Sequence, residues 1–353
     1  MSDKVKIGIV GVGTIGSVHA DAYAKVNRAD VVALCDILPD RLKEKGARHG
    51  VETLYEDYNE LLADSDIEAV SVCVPNNMHA PIAIAAFDAG KDVLLEKPMA
   101  LSAQEGQAIC DARDRAGKVL QMGMVQRQSA DGRFLKEVID KGQLGEIYQM
   151  RVILRRRRGI PGMGGWFTTK ALSGGGGLID IGVHFFDLAM WTSGCWNPTR
   201  VSAKTYTKFG SPMENYNYTS MWAGPPDYNG TFDVDDYACG FVRFGANTTM
   251  NFEVCWAANT EPQQFLEILG DKGGIRMGSG APVLLTEVGD RIADVKMDYD
   301  NKRDNFAEEM RTFIAAVKGE AEPAATAEQG VTTMKLIDAI YRSSAADAEV
   351  VVE

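Results

Sequence analysis

A chain of 353 residues exceeds what one hydrophobic core ordinarily supports, so two domains are expected. A formal net charge of −12 argues against a general binder of nucleic acid or of an anionic membrane surface. Six scattered cysteines (Cys35, Cys73, Cys110, Cys195, Cys239, Cys255) include no C-x-x-C pair, which speaks against a disulfide frame or a zinc site.

Val5–Val10 reads as a strand close behind Met1, leaving no room for a signal peptide. No apolar run approaches the ~18 residues of a membrane helix, so a cytoplasmic protein is expected. The strand runs into Gly11-Val12-Gly13-Thr14-Ile15-Gly16 and then a helix to about Lys25. The first glycine permits a tight turn, the second lets backbone approach a pyrophosphate, and the third lets helix pack on strand. The helix start, with Gly13, Thr14 and Ile15, offers amide N–H groups to phosphate. A second strand, Val31–Cys35, ends in Asp36, where a carboxylate accepts hydrogen bonds from ribose hydroxyls. A carboxylate there repels a 2′-phosphate, so NAD is expected over NADP; Arg41 is placed on the next helix.

The alternation continues with a strand at Ala69–Val74, stopped by Pro75-Asn76-Asn77, and a helix from about Pro81 to Ala89. Asp92–Leu95 is the next strand and ends in Glu96-Lys97-Pro98, before a helix Ala103–Ala116 and a strand Val119–Met124. Ligands of open parallel sheets bind beyond the carboxyl ends of strands. Asn76, His79, Glu96 and Lys97 all stand at such ends and join Gly11, Gly13, Thr14, Ile15, Gly16 and Asp36 as expected cofactor contacts. His79 is read as a capping residue more than a catalyst. His19 is placed on a helix near the cofactor loop, and His49 at the surface.

The second domain begins near residue 124. A helix at Ser129–Lys141 leads to a strand at Ile147–Leu154. Later strands are Arg200–Thr207, Tyr237–Phe244, Thr248–Trp256 and Gln264–Leu269, with Gly245-Ala246-Asn247 closing a hairpin. Phe306–Lys318 and Gln329–Ser343 read as closing helices. Between these lies Gly174-Gly175-Gly176-Gly177, followed by a segment of helical spacing. On a helix Asp180, His184 and Asp187 share one face, roughly 5–6 Å between neighbours, while Leu178, Ile181, Phe185 and Leu188 form an apolar face. Metal binding by Asp180, His184 and Asp187 is allowed by spacing, but no fourth ligand is in view, and no metal is expected.

Two stretches carry no clear periodicity. Arg155–Arg158 leaves a strand just before Trp166-Phe167; alternate arginines of an extended segment point opposite ways. Salt bridging explains such a run, and so does an anionic substrate. Phe209–Asp233 is long for a connection and holds Tyr216, Tyr218, Trp222 and Tyr228. It suits a cover for the active site, a carbohydrate contact or a subunit interface.

Gly11-x-Gly13-x-x-Gly16, Pro75-Asn76-x-x-His79, Glu96-Lys97-Pro98 and Asp180-x-Gly182-x-His184 fall in the order seen in the Gfo/Idh/MocA oxidoreductases, which the chain resembles over most of its length. The resemblance implies an α/β protein: an N-terminal Rossmann dinucleotide-binding domain (1–123), then an α/β domain with a large, mostly antiparallel open sheet (124–353) for substrate binding and oligomerisation. It implies a homo-oligomer, dimer or tetramer, and NAD(P)-dependent chemistry at a secondary alcohol of a sugar, sugar derivative or cyclitol.

Hydride transfer from a carbinol carbon needs the hydroxyl proton removed as the hydride leaves. His184 suits a general base, since its unperturbed pKa lies near 6.5. Lys97 suits the developing alkoxide charge, and Asp180 a substrate hydroxyl and the His184 ring. The resemblance supports all three as catalytic residues. The expected substrate contacts are these three with Arg127, Arg156, Arg158 and Trp166. Two alternatives remain open: a glycoside-cleaving enzyme with retained NAD and a transient ketone, and a non-catalytic sensor of NAD and sugar.

Overall fold

The computed structural model describes residues 4–296 and 303–353, and the counts below refer to these. The chain forms two compact units. One runs to Gln128 and takes in Arg303–Val331; the other holds the intervening chain and Thr332–Glu353. The first unit is therefore discontinuous, unlike a single division at residue 124. Helix Asn305–Val317 gives the reason: its Met310, Phe313 and Ile314 are buried in one cluster with Ile7, Ile9, Leu34 and Leu94. An amphipathic helix states which face it buries, not which core receives it.

In the first unit, six parallel strands make one sheet: β1 (Val5–Val10), β2 (Ala29–Cys35), β3 (Thr53–Tyr55), β4 (Ala69–Val72), β5 (Asp92–Glu96) and β6 (Leu120–Gly123). Their order is β3-β2-β1-β4-β5-β6, so the sheet reverses direction between β1 and β4. That is the topology in which a dinucleotide lies across the carboxyl ends of the strands. Every residue of β4 and β5 is buried, as strands covered on both faces require. The three-residue β3 and the short helix Tyr58–Ala63 lack enough periodicity to be read from sequence.

In the second unit, nine strands form a sheet: β7 (Ile147–Arg155), β8 (Pro198–Tyr206), β9 (Tyr237–Phe244), β10 (Thr248–Cys255), β11 (Gln263–Gly270), β12 (Gly274–Gly278), β13 (Gly280–Val288), β14 (Arg291–Lys296) and β15 (Val350–Val351). The order is β14-β13-β12-β11-β7-β10-β9-β8-β15. Only β7 and β10 pair in parallel. Met250, Phe252 and Val254 alternate inward along β10, and Phe252 meets Phe186 of helix Val183–Ser193 edge to face at 5.2 Å. Strands β12 to β15 escaped the sequence reading. β13 and β14 lie at the sheet margin and leave Val288 and Ile292 exposed, so their burial pattern is weak.

Candidate active site

The glycine loop after β1 has the shape its spacing implies. A Cβ on Gly16 would stand 1.9 Å from the Gly11 carbonyl oxygen, so only glycine lets the helix Thr14–Tyr23 start this close to the strand. A Cβ on Gly13 would meet nothing within 4 Å. Gly13 is also the N-cap of that helix, and no side chain caps it. The helix amides at Thr14 and Ile15 thus open outward at a positive dipole end, a fit for a pyrophosphate.

Asp36 follows β2 and is buried. Its Oδ2 accepts from the Val12 amide (3.0 Å), and its Oδ1 accepts from the Leu38 amide (2.9 Å). Arg41 sits on helix Pro39–His49 as expected, but its guanidinium also reaches back. Its Nε and a terminal nitrogen donate to the two Asp36 oxygens at 3.0 and 2.6 Å. The carboxylate is thereby held flat against the loop that carries the glycines.

At the end of β5, Lys97 is half-buried and its bond to Pro98 is cis. Asn76, in a short 3₁₀ turn after β4, is buried. Two residues expected at the cofactor turn polar atoms onto the protein itself. His79 is buried with Nδ1 2.6 Å from the Pro98 carbonyl oxygen and Nε2 3.0 Å from that of Val74. Burial pushes its pKa down, ahead of the two carbonyls, which act to raise it. The neutral ring carries one N–H, so it donates to one of these carbonyls and lies wedged between the Lys97-Pro98 turn and the end of β4. The Glu96 carboxylate likewise turns inward, onto His19 (3.0 Å) and the Lys97 amide (3.0 Å). His19 is fully buried against Glu96 and Cys73, and the His49 side chain, expected at the surface, is largely covered.

Arg127, expected to touch substrate, is buried and donates to the Ala324 carbonyl (2.9 Å) and Gln329 Oε1 (2.7 Å). It fastens the returning segment 303–331 to the first unit. Sequence position near a domain boundary could not reveal a partner 197 residues away.

In the second unit the glycine run enters a π-helical turn, Leu178–Gly182, before the α-helix Val183–Ser193. Such wider turns are rare and recur at functional sites. Asp180 and His184 are half-buried, whereas Asp187 is fully buried, so the three do not present one open face. The start of this segment is shaped by Asp235, a residue the sequence did not single out. Its Oδ1 accepts from the Gly176 amide (2.9 Å) and the Tyr341 hydroxyl (2.7 Å). Its Oδ2 accepts from the Leu178 amide (2.9 Å), and its carbonyl from the Gly177 amide (3.0 Å). Three successive orphan amides of a helix start are capped by one distant residue. Burial pushes the Asp235 carboxyl upward against these donors. The next residue, Asp236, takes the amides of Lys208, Phe209 and Gly210 at 2.5–3.0 Å. Its carbonyl accepts from the Trp256 amide at 2.9 Å. Trp256 is fully buried and donates its indole N–H to Asp180 Oδ2 at 3.0 Å, which fixes that carboxylate's rotamer.

The two aperiodic stretches fold onto each other. Ala223 and Asp227 donate backbone N–H groups to Pro161 and Met163, and Asp233 to Thr168. Trp166 stacks on Phe167 at 3.7 Å between ring centres, and Phe167 meets Trp222 edge-on at 5.2 Å. Trp166 is half-buried and Trp222 exposed, leaving an aromatic surface on this layer. The arginine run divides. Arg155 pairs with Gln263 and faces Glu253. Arg156 is exposed. Arg158, expected on substrate, bonds the Arg157 and Ala258 carbonyls and Asn259 and lies 4.7 Å over the Phe209 ring. These contacts brace the loop, since both terminal nitrogens and one face of the guanidinium meet its own neighbours.

Among the described residues no helix is long and apolar enough to cross a membrane. Residues 5–124 match the model of an oxidoreductase family with an NAD-binding Rossmann fold, and residues 133–276 match the GFO/IDH/MocA C-terminal domain. The chain is 31% identical to a D-glucoside 3-dehydrogenase of Escherichia coli over 97% of its own length and 96% of the relative's. It is 27% identical to a myo-inositol 2-dehydrogenase of Thermotoga maritima, covering 94% of each chain. A levoglucosan dehydrogenase solved with NADH and L-sorbose has the same fold, with a TM-score of 0.88 at 23% identity over 99% of both chains. With its glycine loop, its strand order and a relative that spans nearly its full length, this chain belongs to the GFO/IDH/MocA family of oxidoreductases and carries that family's NAD-binding Rossmann domain.

Proposed function

We propose that the protein is a dehydrogenase that oxidises a secondary ring alcohol of a sugar or cyclitol and uses NAD in preference to NADP. The carrying observation is Asp36, a buried carboxylate braced by two backbone amides and Arg41 behind the glycine loop. Glucosides and inositols, named for two relatives of similar length, support a sugar or cyclitol as the substrate class. Bound NAD supplies the hydride acceptor. The residues of the chain then have three tasks: to bind the polyol, to take its proton, and to stabilise the charge left on oxygen. His184 takes the proton, the Lys97 ammonium donates to the reacting oxygen, and Asp180, held by Trp256, orients a neighbouring hydroxyl.

The test is NADH absorbance after mixing the protein with NAD or NADP and a panel of methyl glucosides, inositols and sugar acids. NADH formation with a polyol group establishes the reaction and its class. Reduction of NADP in preference to NAD overturns the cofactor reading.

Two variants sharpen it. Asp36→Ser should weaken NAD binding by roughly tenfold, about 1.4 kcal/mol, and narrow the gap to NADP, because it removes the repulsive carboxylate and releases Arg41. Equal affinities ratios in wild type and variant, measured by titration with both cofactors, would refute this. Trp256→Phe deletes one charge-assisted hydrogen bond on Asp180, an interaction of about 1.5–3 kcal/mol. Turnover should fall about tenfold or more with NAD affinity unchanged, as read by steady-state kinetics.

A further inference from the structure

Beneath the sheet end that carries Lys97 lies a buried polar cluster with no assigned role. His19, Glu96 and Glu309 are each at least nine-tenths buried, and their ligand-type atoms all lie within 4.8 Å of one another. His19 Nε2 is 3.0 Å from Glu96 Oε1, and His19 Nδ1 is 3.4 Å from the Cys73 sulfur. Glu96 Oε2 accepts from the Lys97 amide at 3.0 Å. Glu309 arrives on the helix Asn305–Val317, more than two hundred residues on, and among the described residues its Oε2 is buried with no hydrogen-bond partner.

We propose that His19, Glu96 and Glu309 form a buried positioning unit that holds the backbone of Lys97 for the hydride-transfer step. The proposal rests on the role given to Lys97 above and names the residues that set it. The Glu96 carboxylate accepts from the ring on one oxygen and from the Lys97 amide on the other, so its orientation is determined from both sides. When Nε2–H donates to Glu96, Nδ1 accepts from the Cys73 thiol, whose proton burial holds firmly.

Glu309 completes the unit as a neutral acid. Two carboxylates this close in an apolar volume do not both ionise. Burial first, and then the Glu96 charge, push the Glu309 carboxyl well above its ordinary range. The titratable groups that face it are His19 and Tyr23 on the first helix, Cys73 after β4, and Glu96 on β5. The sign of the linkage follows. An acid whose folded pKa is raised stabilises the fold least where the unfolded chain has already lost the proton. Stability is therefore full below the ordinary carboxylate pKa and falls as pH rises toward the raised folded value.

Three measurements test the unit. Urea unfolding is followed from about pH 5 to about pH 8, where wild type should lose stability relative to Glu309→Gln, which cannot ionise. Amide hydrogen exchange at Lys97 should be at least tenfold faster in Glu96→Ala than in wild type. With NAD and whichever panel substrate is turned over, Glu96→Ala should lower kcat at least tenfold while the NAD dissociation constant stays within twofold. Glu96→Gln should restore most of that loss, because an amide oxygen still accepts from Lys97 and His19 can change tautomer to accept from the amide N–H.

Parallel pH profiles of stability in wild type and Glu309→Gln would overturn the neutral-acid assignment. Unchanged exchange at Lys97, or unchanged kcat in Glu96→Ala, would overturn the positioning unit. Stoichiometric Zn²⁺ binding by wild type, lost in Glu309→Gln, would also overturn it in favour of a metal centre. Absence of turnover by wild type would count against the dehydrogenase reading alone, since exchange and unfolding still decide the unit.

Discussion

Lys97→Ala is expected to reduce turnover by roughly 10²–10⁴, or about 3–5 kcal/mol of transition-state stabilisation, with NAD affinity within about twofold of wild type. The size follows from the task. An alcohol oxygen gains negative charge as its proton and hydride leave, and a fixed ammonium group is worth most at that moment. The selectivity follows from the structure. The cofactor loop is held by Gly16, Asp36 and Arg41, none of which is bonded to the Lys97 side chain in a way that its truncation would release. Lys97 itself is half-buried at the end of β5, and its backbone is retained by Glu96. Steady-state kinetics alongside direct titration of NAD separates the two quantities. Loss of NAD affinity in parallel with turnover would mean that Lys97 serves the cofactor site and not the reaction.

Asp235→Ala should be the most destabilising single change in the second unit, and should also remove activity. It strips the partner from two backbone amides and the Tyr341 hydroxyl, all around a buried site. Leaving a buried donor unmatched costs about 1–3 kcal/mol each, so a loss on the order of 3–5 kcal/mol is expected after partial relaxation. The damage is directed. A Cβ on Gly176 would stand 1.8 Å from the Asp235 carbonyl oxygen, which shows how closely the glycine run is pressed onto this residue. The π-helical turn bearing Asp180 begins two residues later. Asp235→Asn provides the contrast: its amide oxygen keeps one side of the cap, so it should retain part of both stability and turnover. Thermal unfolding and kinetics of the pair are the check. A folded, fully active Asp235→Ala would show that the cap does not govern the Asp180 segment.

The first unit was legible in the chain because parallel α/β units announce themselves. Buried strands such as Ala69–Val72 are nearly continuous apolar runs, interrupted here only by Ser71, and the glycine spacing after β1 has one structural context that gives it meaning. The same local logic placed Asp36, Lys97, Asp180 and His184 at strand ends or on the segment after the glycine run. It failed where a residue's surroundings come from elsewhere in the chain. Arg127 looks free to meet a ligand until the segment around Ala324 and Gln329 closes over it. Arg158 stands in a run of four arginines, yet its planar head is taken by Asn259 and Phe209. Glu96 and His79 adjoin the right strand ends, but their polar atoms face inward.

The amino-acid sequence by itself determined the order of the elements, the cofactor loop and the residue types at the strand ends, because each depends on neighbours within a few positions. Only the tertiary structure decided which polar side chains remain available for chemistry. A buried hydrogen-bonding group must find a partner wherever the fold brings one, and those partners for Gly176, Leu178, Asp180 and Lys97 are Asp235, Trp256 and Glu96. Two of the three lie far along the chain, at separations that no local pattern encodes.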